Sequence, residues 1–292
     1  MTLERDRRLT GIALMLLTYL LFTGIDTSAK WLIEAGLPPL QVVFVRFAVH
    51  LAIVVAVLYP RTGTRLFLSA DRPREVLRAL CLLGGTVFNF LALQYLPLTV
   101  TTAIFFTIPL WVCALSVPLL GERVGIRRWV AILVGFTGVL VATRPWTGEM
   151  HWAVLFSVAA AVSASLYSIL TRKLVGVDSP HTQQLYGAAI PFLAVAPFGL
   201  AEWQWPAMGI DWAFFLLIGV FGWAGHQTIT MAHRYAPASV LAPFIYSMIL
   251  YMTASSWLIF DQPADAWVLV GSAIVLSSGL YVWWRERAIA AQ

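Results

Sequence analysis

The 292-residue chain is 60% hydrophobic and 11% charged, with a mean hydropathy of +0.81. That excludes an ordinary soluble domain, in which about a quarter of residues are charged, and it excludes disorder. A net charge of +5 would suit nucleic acid in a soluble protein, but here the basic residues lie between apolar runs, where they set membrane orientation; the partners expected are a lipid bilayer and no nucleic acid.

Ten apolar runs bounded by charge, Pro and Gly predict ten helices, at residues 9–33, 40–59, 76–95, 99–120, 128–143, 152–174, 183–201, 212–234, 238–260 and 267–284. One bilayer crossing takes about 20 helical residues, so ten crossings use up the chain and leave no room for a soluble catalytic domain. Such segments must be helical, because unpaired backbone groups are costly in hydrocarbon. The first run follows Arg5, Arg7 and Arg8 and imitates a secretory signal. It is long for one and nine more runs follow, so it reads as an uncleaved first crossing. Cys81 and Cys113 lie in apolar runs without Cys or His partners nearby and read as buried apolar residues.

Placing the N-terminus in the cytoplasm puts 16 of the 19 Lys and Arg on the inner side, so both termini are expected there. Trp203, Trp205 and Trp212 then suit an outer interfacial belt.

The stretch Tyr95-Leu96-Pro97-Leu98-Thr99-Val100 returns 140 residues later as Tyr235-Ala236-Pro237-Ala238-Ser239-Val240. Two five-helix halves follow, residues 1–146 and 147–292. Five being odd, the second half enters the membrane from the opposite side, an inverted repeat of the kind secondary transporters use. The fold class expected is therefore all-α integral membrane, ten transmembrane helices in two inverted repeats.

These residues carry a likeness. The chain resembles the ten-helix drug/metabolite transporter superfamily, EamA type, in the Asp26 to Lys30 end of helix one, Phe44-Val45-Arg46-Phe47, the Tyr-x-Pro turns at Pro97 and Pro237, and Gly121-Glu122 followed by Trp129 and Gly138. The second half departs from the pattern, with Asp261-Gln262 in place of Gly-Glu. The resemblance implies a multi-pass carrier of small organic metabolites in the inner (cytoplasmic) membrane. It also implies a central cavity among helices one to four and six to nine, with helices five and ten outside.

Ionisable groups within spans are costly and become functional candidates by default. Asp26 and Arg46 fall in the outer parts of helices one and two and can meet, as a structural ion pair or as an outer gate. Lys30 lies one turn from Asp26, where it competes for the carboxylate or snorkels to the interface; His50 shares the helix face of Arg46. In helix eight, Trp223, His226 and Gln227 accompany Gly219, Gly222 and Gly225, which read as close-packing positions. Asn89, Trp111 and Tyr246 fall near mid-depth, and Trp111, His226 and Tyr246 lie within about 6 Å of one level. Pro109 and Pro243 free carbonyls in helices four and nine. The candidate substrate-binding set is Asn89, Trp111, Trp223, His226, Gln227 and Tyr246, and the charge set is Asp26, Arg46 and Lys30.

No HExxH, GxSxG or Walker sequence occurs, so no catalytic residue, metal or cofactor is expected. The first expectation for function is efflux of amino acids, aromatic ones included. The Asp-to-Lys ending of helix one also looks like relatives that import riboflavin or S-adenosylmethionine. A channel or a polytopic membrane enzyme stands as the reading from another class. The oligomeric state, a homodimer included, is left open.

Overall fold

The structure, a computed structural model, describes residues 2–120, 125–147, 150–174, 176–207, 209–236 and 241–290. Among these residues there is no strand. The helices are α1 (Thr2–Glu34), α2 (Pro39–Thr62), α3 (Arg72–Leu93), α4 (Leu98–Phe105), α5 (Ile108–Leu120), α6 (Ile126–Thr143), α7 (Val154–Lys173), α8 (Pro180–Gly199), α9 (Gly209–Tyr235), α10 (Met248–Phe260) and α11 (Ala266–Ala290). Among the described residues, seven stretches are long and apolar enough to cross a membrane, α4 and α5 together making one of them, and α10 and α11 contribute shorter apolar helices. The chain is therefore an all-helical, multi-pass membrane protein. The Gly121-Glu122 and Pro237 to Val240 motifs lie outside the described residues.

Local chemistry sets the ends. Asp71 and Ser179 cap α3 and α8, accepting from the N–H of Arg74 and Thr182, and a Pro follows each within the first turn, where its missing N–H costs nothing. Gly36, with φ of 95°, makes the tight turn between α1 and α2 that other residues would strain to adopt.

Two predicted helices are interrupted. The run 99–120 breaks at Phe106 and Thr107, just ahead of Pro109, and the run 238–260, described from residue 241, holds a 3-10 helix, Ala242–Ser247, before α10. Proline removes a donor from the ladder, and local bonds take over. Thr107 Oγ1 donates to the Ile104 carbonyl at 2.6 Å, and Ser247 Oγ to that of Phe244 at 2.7 Å.

The helices separate into two regions. In the inner bundle α1 packs on α9, α3 on α7 and α8, α2 on α8 and α9, α5 on α7, and α10 on α1 and α4. Helices α6 and α11 pack chiefly on each other. Gly138 and Gly271 face one another there; a Cβ on Gly138 would lie 2.7 Å from the Gly271 carbonyl oxygen, so only glycine permits this backbone approach. Ser278 Oγ donates to the Ala131 carbonyl across the same contact. The outer faces of the pair, with Leu133, Leu140, Trp267 and Val270, are exposed and apolar, as lipid contact requires.

Candidate functional site

The inner bundle buries charge. Asp26 on α1 and Arg46 on α2 are 7% and 5% exposed. They do not form the expected ion pair: Asn89 Nδ2 donates to Asp26 Oδ1 at 2.9 Å, and Arg46 Nη1 donates to Thr86 Oγ1 at 2.9 Å. Thr86 and Asn89 stand about one turn apart on α3, so a single helix supplies each charge with its own neutral partner. Arg46 Nε and Asn89 Oδ1 keep no hydrogen-bond partner.

One turn beyond Arg46 on α2, His50 is 2% exposed, and its Nε2 bonds Gln184 Oε1 of α8 at 3.1 Å. The ring of His226, from α9, stacks on it at 5.9 Å between centroids. Phe22 of α1 meets His226 edge-on at 5.5 Å, and Tyr167 of α7 does so at 6.4 Å. His226 sits among these aromatic rings and is half-buried.

A third group ties α3 to α7 and α8. Arg78 donates from Nε to Glu75 Oε2 at 2.9 Å, from Nη1 to the Tyr167 hydroxyl at 3.2 Å, and from Nη2 to the Gln183 carbonyl at 2.6 Å. By sequence Arg78 counts among the interfacial basic residues and Glu75 draws no notice, because the predicted helix starts at residue 76. Both are buried, and an acid three residues before a base at the mouth of an apolar run is the signal that could have found them.

At the other end of the bundle Lys30 is 3% exposed and does not snorkel. Its ammonium pairs with Glu34 at 2.8 Å, donates to the Leu96 carbonyl at 3.4 Å and lies over the Phe260 ring. The charge is thus neutralised in place, by a carboxylate, a carbonyl and an aromatic face. Nearby, Trp31 Nε1 donates to Asp211 Oδ1 at 2.8 Å, Thr27 and Ser255 share a hydrogen bond of 2.6 Å, and Gln41 bonds the backbone of Gln204 in both directions. Polar ties thus close this end.

The opposite end is less tightly filled. A cavity of ≈ 170 Å³ lies between the start of α8 and the end of α9, lined by His181, Gln184, Gln227, Thr230 and Arg234 among others. Gln227 therefore faces this cavity, and Gln184 joins it to His50. Trp223 packs on the small cluster of Val54, Leu58, Leu66 and Leu185. Trp111 meets Phe136 of α6 at 4.8 Å, and Tyr246 meets Phe106 at 5.4 Å with its hydroxyl against Gly279 of α11. The structure thus joins His226 to His50 and Asn89 to Asp26, while among the described contacts Trp111 and Tyr246 turn toward the outer pair rather than toward His226. No group of three His, Cys, Asp or Glu able to hold a metal occurs among the described residues. What the cluster offers is binding: hydrogen-bonding groups set among aromatic faces.

Residues 9–144 and 151–284 each match the EamA-like transporter family. The chain is 32% identical to a riboflavin transporter of Vibrio cholerae over 97% of its own length and 98% of the relative's. It is 28% identical to an S-adenosylmethionine uptake transporter of Rickettsia felis, covering 96% and 94% of the two chains. A crystal structure of a protein 19% identical superposes with a TM-score of 0.64, covering 94% of this chain and 98% of that one, which shows a shared fold.

Proposed function

Because the chain belongs to the EamA-like transporter family, we propose that it is a carrier that takes up a small heteroaromatic metabolite, riboflavin first and S-adenosylmethionine second, across the cytoplasmic membrane. The observation that carries this reading is the likeness to the Vibrio cholerae riboflavin transporter over nearly the whole of both chains. It replaces the amino-acid efflux expected from the sequence, since the two relatives described above, matched over nearly their full length, are named for riboflavin and S-adenosylmethionine. The aromatic walls around His226 suit a planar ring.

The architecture of the proposal is ten crossings in two inverted five-helix halves with both termini inside. The family matches the chain twice, once in each half, which supports a repeat. Packing supports it too: exchanging the halves turns the α1–α9 contact into α7–α3 and the α2–α9 contact into α8–α3, and leaves α2–α8 and α6–α11 unchanged. The interruptions agree, because the Thr107 to Ile104 bond and the Ser247 to Phe244 bond stand 140 residues apart. On this reading the cavity beside Gln184 opens to the cytoplasm and the ties around Lys30 and Trp31 close the outer side.

The test is uptake into liposomes containing the purified protein, with labelled riboflavin and labelled S-adenosylmethionine offered under imposed proton and sodium gradients. Saturable entry of riboflavin that unlabelled riboflavin abolishes is the expected result. Entry of neither compound above protein-free liposomes sinks the proposal.

A further inference from the structure

Three glycines on one face of α9 have different neighbours. A Cβ on Gly225 would collide with the Phe22 ring at 2.5 Å, and one on Gly219 would strike the Val49 side chain. These two serve close packing. Gly222, one turn from each, does not: outside its own helix only two atoms come within 4 Å of its Cβ position, His50 Nδ1 at 3.8 Å and Arg46 Nε at 3.9 Å. Both atoms are buried without a hydrogen-bond partner, on side chains 2% and 5% exposed. Two orphaned polar atoms on one helix thus converge on the one of these three glycines whose Cβ position is not blocked.

Their chemistry is complementary. Arginine Nε carries a hydrogen and can only donate. His50 Nε2 faces the amide oxygen of Gln184 at 3.1 Å; with that oxygen as the acceptor, the neutral ring holds its proton on Nε2 and presents a bare lone pair at Nδ1. One donor and one acceptor thus lie within 4 Å of the same Cβ position in a buried site, where leaving them unmatched is costly. A planar heterocycle with an N–H next to a carbonyl or a ring nitrogen matches both at once. The rings of His226, Phe22 and Tyr167 supply the aromatic surroundings, and the cavity reaches Gln184, the residue that holds His50.

We propose that Arg46, His50 and Gly222 form a subsite that reads the edge of the substrate's nitrogen heterocycle, Arg46 Nε donating to a ring acceptor while His50 Nδ1 accepts from the adjacent N–H. The subsite rests on the carrier reading above and specifies it. Riboflavin offers the imide edge of its pyrimidine ring, an N–H flanked by two carbonyls; S-adenosylmethionine offers the adenine amino group beside a ring nitrogen. Gly222 sets the room for either edge.

The experiment measures equilibrium binding to the full chain in detergent, with riboflavin and 3-methylriboflavin, in which a methyl replaces the N–H. Wild-type protein binds the methylated compound about tenfold more weakly or worse, the expected effect of one lost hydrogen bond plus an unmatched acceptor. Gly222→Ala, whose added methyl makes only ordinary contacts, weakens riboflavin by at least the same factor, whereas Gly209→Ala at an open position leaves it unchanged. His50→Ala levels the preference between the two flavins, which a merely structural role would not do. Equal binding of both flavins by wild type together with an unaffected Gly222→Ala overturns the subsite and leaves the carrier reading standing. If riboflavin does not bind, S-adenosylmethionine and its N6,N6-dimethyl analogue take the places of the two flavins under the same criteria. Failure of both parent compounds to bind overturns the carrier reading and the subsite together.

Discussion

The inner bundle and the α6–α11 pair meet the same solvent with opposite means. Around α1, α2 and α3 the chain buries Asp26, Lys30, Arg46, Glu75 and Arg78, each held by hydrogen bonds or an ion pair. Between α6 and α11 the contact is glycine against glycine, with Ser278 the polar addition. Lipid offers no hydrophobic force to bring helices together, so a purely structural contact is made from small residues and close backbones. Charge inside a span costs energy that packing does not require. Its place in the inner bundle fits the proposal that this bundle handles solute while the α6–α11 pair holds shape.

The comparison is tested most severely at Glu75. Glu75→Gln leaves Arg78 without its counter-charge and should destabilise the protein by about 3–5 kcal/mol, read from thermal unfolding in detergent. Replacing both residues with Met should recover most of that loss; a double variant no better than the worse single one would show that the pair is not the source. Next comes the partner of Asp26. A double-mutant cycle with Asn89 should give a coupling of about 1.5–3 kcal/mol, larger than the cycle of Asp26 with Arg46. The reverse order would restore the direct ion pair that the sequence suggests.

The outer pair should respond differently. Gly138→Ala overpacks the contact with Gly271 and should cost about 1–3 kcal/mol, while the folded fraction transports at the wild-type rate; lost transport in well-folded protein would move α6 into the working region. Smallest of all is the ion pair of Arg144 and Asp265 at the end of α6, 2.6 Å long with side chains 29% and 41% exposed. Asp265→Asn keeps the oxygen that accepts from the Trp267 N–H and should change stability by about 0–1 kcal/mol.

Much of this is legible in the amino-acid sequence. Apolar length and the charges between runs locate the helices, since a span must be long, apolar and helical. Asp26, Arg46 and His226 stand out because an ionisable group in such a run is expensive. Their partnerships do not stand out: Thr86 draws no notice and Asn89 is picked for its depth rather than as the partner of Asp26, and both ties exist because α3 packs beside α1 and α2. Depth can be counted along a helix, but facing cannot, which is why Trp111 and Tyr246 share a level with His226 and turn elsewhere. Gly222 illustrates the limit. Its spacing with Gly219 and Gly225 reads as packing, and what distinguishes it is two side-chain atoms contributed by a different helix.

Phe106 and Tyr246 occupy positions 140 residues apart, each at an interruption of its span, and their rings touch with centroids 5.4 Å apart. In the proposed arrangement a two-fold exchange carries one of these residues into the other, and such a pair can be neighbours only near its axis. A fulcrum is the part of a lever that travels least. A spectroscopic label beside this aromatic pair should therefore stay silent through a transport cycle, whereas labels at the rim, near Ser69, whose hydroxyl donates to Asp178 at 2.5 Å, should sweep the widest arc.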